Sequence, residues 1–92
     1  MSHIIRVELD NGNSEDFTTF HRLMAEKDFS QTILSDTGRE YYLPRATYVL
    51  NGNILRSNVL DSVKSILKSL GKTGEILVVE YKGLTWSNLA EV

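Results

Sequence analysis

Residues 57–81, SNVLDSVKSILKSLGKTGEILVVEY, contain the pattern that decides the fold. The first part predicts a helix, because its apolar residues recur at intervals of three and four and so share one helical face. Ser57 or Asn58 suits the N-cap of this helix, and Gly71 suits its C-cap. The last part, residues 76–81, is an almost continuous apolar run that predicts a strand in a central position of a sheet. The apolar helical residues are Val59, Val63, Ile66, Leu67 and Leu70.

The N-terminal part of the chain repeats this combination in the opposite order. Residues 3–10 alternate, with Ile5, Val7 and Leu9 on one face, which is typical of a half-buried strand. Asn11-Gly12-Asn13 then forms a turn.

A first helix follows this turn. Asn13 or Ser14 is the expected N-cap, and the helix should end near Lys27 or Asp28. Its apolar stripe should lie on the sheet. The stripe consists of Phe17, Phe20 and Met24, with Leu23 at its margin.

The segment between the two helices predicts a pair of strands. Residues 29–34 and 46–50 have strand composition, and residues 35–38, SDTG, are typical of a turn. Residues 40–43 resume extended structure before Pro44. The hairpin is therefore either one long pair or bent at Pro44.

The C-terminal residues 83–92 contain too much apolar surface for a free tail. They predict a short fifth strand that packs on its own sheet or on a second subunit. The apolar residues assigned to this contact, and hence to a homodimer interface, are Leu84, Trp86 and Leu89.

The order strand, helix, two strands, helix, strand predicts a single α+β domain over residues 1–92. Its expected architecture is a βαββαβ sandwich, in which a four-stranded antiparallel sheet carries two helices on one face.

Composition bounds the function without naming it. Hydrophobic residues make up 41% and charged residues 24%, the chain has no cysteine, and the net charge is −2. These values exclude disulfides and argue against a general nucleic-acid coat. Residues 39–72 are nevertheless basic, with six basic and two acidic side chains. The start, MSHII, lacks the features of a signal peptide, and no apolar run could span a bilayer. We therefore expect a cytoplasmic protein with no membrane partner.

The common catalytic motifs are missing. The chain has no phosphate-binding loop with Lys-Ser or Lys-Thr and no G-x-S-x-G elbow. Its two histidines, His3 and His21, do not have zinc-ligand spacing. We therefore expect no cofactor and assign no set of residues to a metal site.

Three side chains remain as candidates for chemistry, each with a structural alternative. Asp10, at the end of the first strand, could coordinate a divalent metal through oxygen, act as a general base or simply cap the turn. His21, beside the apolar stripe, could transfer a proton or only pack and hydrogen bond locally. Arg39, after the SDTG turn, could bind phosphate or be a solvated loop residue.

The chain resembles the family of the type V antitoxin GhoS. The similar segments are FHRLM (20–24), FSQTI (29–33), DTG (36–38), LP (43–44), GEILVVE (74–80) and TWSNL (85–89). This resemblance implies a ferredoxin-like fold related to the small CRISPR adaptation nucleases, and an endoribonuclease that cleaves a toxin transcript. Asp10 matches an acidic position that the nuclease relatives pair across a dimer, and Gly38 matches a turn glycine. His21 stands where the antitoxin has a basic residue.

Two hypotheses follow, the first from the resemblance and the second from the missing catalytic motifs and the acidic net charge. In the first, an antitoxin-like homodimer cleaves single-stranded RNA, with Asp10 or His21 deprotonating the 2′-hydroxyl and Arg39 or Arg45 binding the phosphate. In the second, the chain is a non-catalytic binding or dimerisation module, since a sheet edge and an open sheet face could engage a partner.

Overall fold

A computed structural model describes residues 1–92 as a two-layer α+β domain. Along the chain, the elements are β1 (Ser2–Leu9), α1 (Ser14–Glu26), β2 (Thr32–Leu34), β3 (Glu40–Tyr42), β4 (Thr47–Asn51), α2 (Arg56–Leu70) and β5 (Gly74–Tyr81). The predicted alternation of strands and helices is confirmed.

The strands form two antiparallel sheets. The larger sheet has the order β4-β1-β5, and β2 pairs with β3 in a smaller one. The sequence predicted a single four-stranded sheet instead. The chain turns at Pro44–Ala46, where Ala46 has a φ of 59°, and this bend separates β3 from β4. One bridge between Ser30 and Val49 links the two sheets.

The order of the larger sheet corrects the prediction for the last strand. β5 lies at an edge, and β1 is the central strand. Leu77 and Val79 are 60% and 43% exposed, because β5 alternates between a face covered by helices and an open face. The apolar run therefore reflects one open face and not burial on both.

Both helices pack on the same side of β1 and share one hydrophobic core. The strand residues Ile5, Val7 and Leu9 form the floor of that core, as predicted. Phe20 and Met24 of α1 are buried on it. The buried residues of α2 are Val59, Val63, Ile66 and Leu67.

The helix ends agree with the sequence except at one position. Asn13 caps α1 in a reciprocal pair with Asp16, and Gly71 ends α2 in the left-handed region with a φ of 71°. The predicted N-cap of α2 at Ser57 or Asn58 is wrong. The helix begins earlier, after Leu55, which has no side-chain acceptor.

Gly74 allows β5 to start close to β1. A Cβ atom at this position would clash with the backbone carbonyl of Glu8. The short connection from α2 to β5 therefore depends on a residue without a side chain.

The C-terminal segment pairs with the smaller sheet of its own chain. The Tyr42 N–H donates to the carbonyl of Ala90 at 2.9 Å, and the Val92 N–H donates to the carbonyl of Glu40 at 2.9 Å. A bridge between Tyr41 and Glu91 completes the contact.

Candidate functional site

The main candidate site is a cluster of four side chains at the end of the sheet where β4 begins. It consists of Phe17, His21, Arg45 and Tyr48, and we call it the His21 cluster. Alternation in β4 directs Tyr48 toward the helices, while helical spacing puts Phe17 and His21 one turn apart on α1.

Tyr48 holds the His21 ring. Its hydroxyl is hydrogen bonded to Nδ1 of His21, and the two ring centroids are 5.6 Å apart. Tyr48 is fully buried and also packs edge-on against Phe20, at 5.8 Å between centroids. Because a hydroxyl can donate or accept, this hydrogen bond can orient the His21 ring whether Nδ1 or Nε2 carries the proton.

Arg45 brings a positive charge to the same place. It lies in the turn before β4, is exposed, and has its guanidinium carbon 5.5 Å from the centroid of the Phe17 ring. The ring of Phe17 is in turn 6.1 Å from that of His21. The cluster therefore has one exposed cation beside one half-buried imidazole.

Burial sets the protonation state of the cluster. Desolvation, and secondly the charge of Arg45, lower the pKa of His21 below its usual value of 6.5. Desolvation also raises the pKa of Tyr48 above its usual range. Near neutral pH, His21 is therefore an uncharged imidazole and Tyr48 an uncharged phenol.

Asp10 lies outside the His21 cluster, at the end of the sheet where β1 ends and β5 begins. Its carboxylate accepts a hydrogen bond from the Thr73 hydroxyl at 2.9 Å, and its N–H donates to the Thr73 carbonyl at 2.9 Å. The residue is exposed. These contacts give Asp10 a local structural role, and none of them involves His21.

The two candidate arginines also lie in different environments. Arg39 is exposed near the tip of the β2–β3 hairpin, where its N–H donates to the Ser35 hydroxyl at 3.1 Å. Arg45, in contrast, belongs to the His21 cluster. Of the predicted site residues, the structure thus brings together His21 and Arg45.

The residues predicted for a dimer interface lie on the C-terminal segment. Trp86 packs against Tyr41 of its own chain, with ring centroids 5.6 Å apart. Leu84 is 40% exposed, and Leu89 is partly buried. Of the two alternatives for this segment, packing on its own sheet accounts for Trp86.

A cleft of about 780 Å³ lies between the β2–β3 hairpin and the C-terminal segment. Its lining includes the carboxylates of Asp36 and Glu40 but only one basic side chain, Lys82. This charge balance suits an RNA backbone less well than Arg45 does.

Sequence reasoning missed two contributors. It assigned no role to Tyr48 or to His3. His3 is fully buried, in phase with Ile5, Val7 and Leu9 along β1. The alternation of that strand could have placed His3 on the buried face.

The chain has no group of three or more His, Cys, Asp or Glu side chains arranged to hold a metal ion. Neither helix has the length and apolar character required to cross a bilayer. Comparison with protein-family models finds no match, and comparison with curated proteins finds none either.

Proposed function

We propose that this protein binds single-stranded RNA and cleaves it as an antitoxin-like endoribonuclease in the cytoplasm. The observation that carries the proposal is the exposed Arg45 guanidinium beside the oriented, uncharged imidazole of His21. A cation next to a neutral base is what phosphodiester cleavage requires of a small site without metal.

The chemistry follows from the protonation states. A neutral His21, with Nδ1 bonded to Tyr48, has Nε2 available to take the proton of a ribose 2′-hydroxyl. The 2′-oxygen attacks the adjacent phosphorus, and the bond to the 5′-oxygen breaks. Water supplies the proton to the leaving oxygen, so the products are a 2′,3′-cyclic phosphate and a 5′-hydroxyl. Arg45 stabilises the charge that develops on the phosphate oxygens.

The strand arrangement supports a ferredoxin-like topology for this function. The order β4-β1-β5, with the Ser30–Val49 bridge adding the second predicted strand beside β4, is the order such a sandwich requires. This is also the fold that the resemblance to the GhoS family implies.

Asp10 and Arg39 enter this proposal only through a second subunit, because each lies outside the contacts of His21. We propose a homodimer in which Asp10 or Arg39 of one copy completes the site of the other. The exposed Leu84 supports such a contact at the C-terminal segment.

The alternative function, a non-catalytic binding or dimerisation module, rests on β5. This strand is at a sheet edge, and its residues Leu77 and Val79 are exposed on the open face. Under this alternative, Leu77→Lys should lower the mass measured by light scattering, while the exposed Leu34→Lys should not.

The test uses end-labelled single-stranded RNA and three variants purified identically. His21→Gln keeps an amide N–H that can donate to the Tyr48 hydroxyl but removes the base, so cleavage should be lost while binding persists. Arg45→Gln should weaken binding and reduce the slope of log K against log salt by about 0.7, the value of one phosphate contact on a single strand. Arg22→Gln, an exposed arginine of α1 paired with Glu26 at 3.0 Å, is the matched control.

The outcomes separate the parts of the proposal. Cleavage that is unchanged in His21→Gln would contradict the role of His21 as the base. Binding that weakens equally in Arg45→Gln and Arg22→Gln would mean that no specific phosphate contact exists at the His21 cluster.

A further inference from the structure

The free edge of β5 carries backbone groups without partners. β5 is an outer strand of the larger sheet, so its residues alternate between bonding to β1 and facing outward. The Asp10 N–H donates to the carbonyl of Thr73, and this bond sets the odd-numbered residues of β5 as those that bond to β1. Ile76, Val78 and Glu80 therefore point their N–H and C=O groups away from the sheet. None of these groups has a hydrogen-bond partner in the chain.

An apolar groove runs beside this edge. It has a volume of about 480 Å³ and lies between α2 and β5. Ile76 and Val78 line it from the strand, and Leu55 and Leu60 line it from the helix. Leu55 is 69% exposed, so the groove is open to solvent. An extended chain that paired with β5 would place every second side chain in this groove.

The edge lacks the features that normally prevent strand pairing. Sheet edges are commonly protected by proline, by lysine, by a bulge or by a covering segment. Residues 74–81 contain no proline and no lysine, and their pairing with β1 is continuous from Gly74 to Tyr81. On the open face, Leu77 and Val79 lie exposed beside the same edge. An added strand would therefore contact apolar side chains on both faces of the sheet.

The position of α2 decides which kind of strand this edge accepts. α2 lies closer to β5 than to any other strand. If β5 paired with β5 of a second copy, the two strands would be about 4.8 Å apart, and each would carry its own α2. The two helices would then be about 5 Å apart, whereas packed helices need about 8–10 Å. The edge therefore accepts an extended segment that has no helix above it.

We propose that the groove between α2 and β5 binds an extended peptide segment of another protein. The segment adds to the larger sheet as a fourth strand, next to β5. The outward N–H and C=O groups of Ile76, Val78 and Glu80 hydrogen bond to its backbone. Its apolar side chains fill the groove on one face and cover Leu77 and Val79 on the other.

Charge at the ends of the groove refines the chemistry of the partner. Glu75 is exposed and lies directly opposite Glu8 of β1, so two carboxylates are adjacent where β5 begins. A basic residue of the peptide beside them offsets this unfavourable pair. At the other end, Arg56 and Glu80 both line the groove and have opposite charges. The expected ligand is thus a short apolar run with lysine or arginine next to it.

This surface is separate from the His21 cluster. β4 and β5 lie on opposite sides of β1, and the cluster is at the start of β4. The inference gives the alternative function, a binding module, a partner of stated chemistry, and it does not depend on catalysis. Cleavage lost in His21→Gln leaves it unaffected, and failure of peptide binding leaves the proposed RNA cleavage unaffected.

The test is hydrogen exchange, followed by NMR, with a capped peptide of five valine and isoleucine residues between two lysines. In the free protein, the N–H groups of Ile76, Val78 and Glu80 should exchange fast, and those of Leu77 and Val79 slowly. Saturating peptide should slow the first three on the order of tenfold or more and leave the other two nearly unchanged. A control peptide with proline at its centre should slow none.

Two variants locate the contact. Val78→Pro removes an outward N–H that makes no bond in the chain, so the sheet should persist while peptide affinity falls on the order of tenfold. Leu55→Gln removes part of the apolar wall and should weaken binding about fivefold. Leu34→Gln is the matched control, because Leu34 is 67% exposed and lies on the smaller sheet, away from the groove. It should bind the peptide like the wild type.

Several outcomes would overturn the proposal. One is that the peptide slows exchange at none of the three outward N–H groups. Another is that Leu34→Gln weakens binding as much as Leu55→Gln does, or that a peptide with glutamates in place of the lysines binds as tightly. Slow exchange at these groups in concentrated protein alone, together with a doubled mass in light scattering, would show that a second copy occupies the edge instead.

Discussion

The two histidines of this chain lie on the same side of the sheet but in opposite chemical situations. His21 is half-buried and hydrogen bonded to Tyr48, and Arg45 lies close to it. His3 is completely buried, and neither of its ring nitrogens has a partner. The first is a satisfied group whose protonation is set by its surroundings, and the second is a polar group whose burial is unfavourable.

This difference shows what burial does with and without a partner. At His21, the hydroxyl of Tyr48 satisfies one nitrogen, so the ring can stay oriented with the other nitrogen free for a substrate. At His3, strand alternation places the ring on the buried face beside Leu50, and the Glu80 carboxylate, 3.7 Å from Nε2, is too distant for a hydrogen bond. His3 lies in a strand and His21 in a helix, and their tertiary neighbours differ as well.

Replacement of each histidine by leucine should give the largest contrast. His21→Leu leaves the buried Tyr48 hydroxyl without a partner, so the free energy of unfolding should fall by about 1–3 kcal/mol. His3→Leu removes two unpaired nitrogens from the core, so it should raise the free energy of unfolding by about 1 kcal/mol or more. Denaturant unfolding in a phosphate-free buffer measures both.

The opposite signs are the essential part of this prediction. If His3→Leu destabilises the protein as much as His21→Leu does, then His3 has a partner in the folded protein. Glu80→Gln would then identify whether that partner is the neighbouring carboxylate.

A smaller effect is expected when the hydrogen bond at His21 is removed from the other side. Tyr48→Phe keeps the ring and the edge contact with Phe20 but loses the hydroxyl, which should cost about 0.5–1.5 kcal/mol. Tyr42→Phe, at a tyrosine that is 51% exposed, is the control and should change nothing. Equal stability of the two variants would show that the His21–Tyr48 contact contributes nothing.

The lowered pKa of His21 predicts a dependence of stability on pH. The unfolded chain binds a proton near the ordinary pKa of 6.5, and the folded chain binds it only at lower pH. The contribution of His21 to the free energy of unfolding is therefore fully present above pH 6.5. It is lost as the pH falls through the lower pKa that His21 has in the folded protein. In His21→Gln, the free energy of unfolding should vary less with pH across this range. A wild-type slope of the same size in the variant would contradict the assignment.

The smallest effect concerns the charge near His21. Arg45→Gln removes the second cause of the lowered pKa, so the pKa of His21 should rise modestly but remain below 6.5 through desolvation. A titration of the ring signals by NMR measures this shift, with Arg22→Gln as the control. If the pKa of His21 does not respond to Arg45→Gln, the charge of Arg45 does not act on His21.

The fold could be predicted from the sequence wherever periodicity was decisive. The stripe of α1, the buried face of α2 and the left-handed Gly71 all follow from spacing and residue type. The strand positions within the sheet do not, because an apolar run such as residues 76–81 fits a central strand or an edge strand with one open face. The start of α2 was also missed, because Leu55 has none of the features of a capping residue.

The candidate site was predictable only in part. His21 and Arg45 could be named from their residue types, but their proximity depends on the bend at residues 44–46 that precedes β4. Asp10 had the right position in the sequence, at the end of β1, yet its hydrogen bond is to Thr73 on the neighbouring connection. The sequence does not encode such pairings in any local pattern, since Asp10 and Thr73 are far apart along the chain.

The most direct measurement of the central claim is an NMR titration of the protein with a short single-stranded RNA, which follows the side-chain signals of His21 and Arg45. The account predicts that both sets of signals shift in proportion and saturate together, and that in Arg45→Gln the response at His21 needs a higher RNA concentration to saturate. Shifts confined to other parts of the surface, or no saturable shift at these two residues, would contradict it.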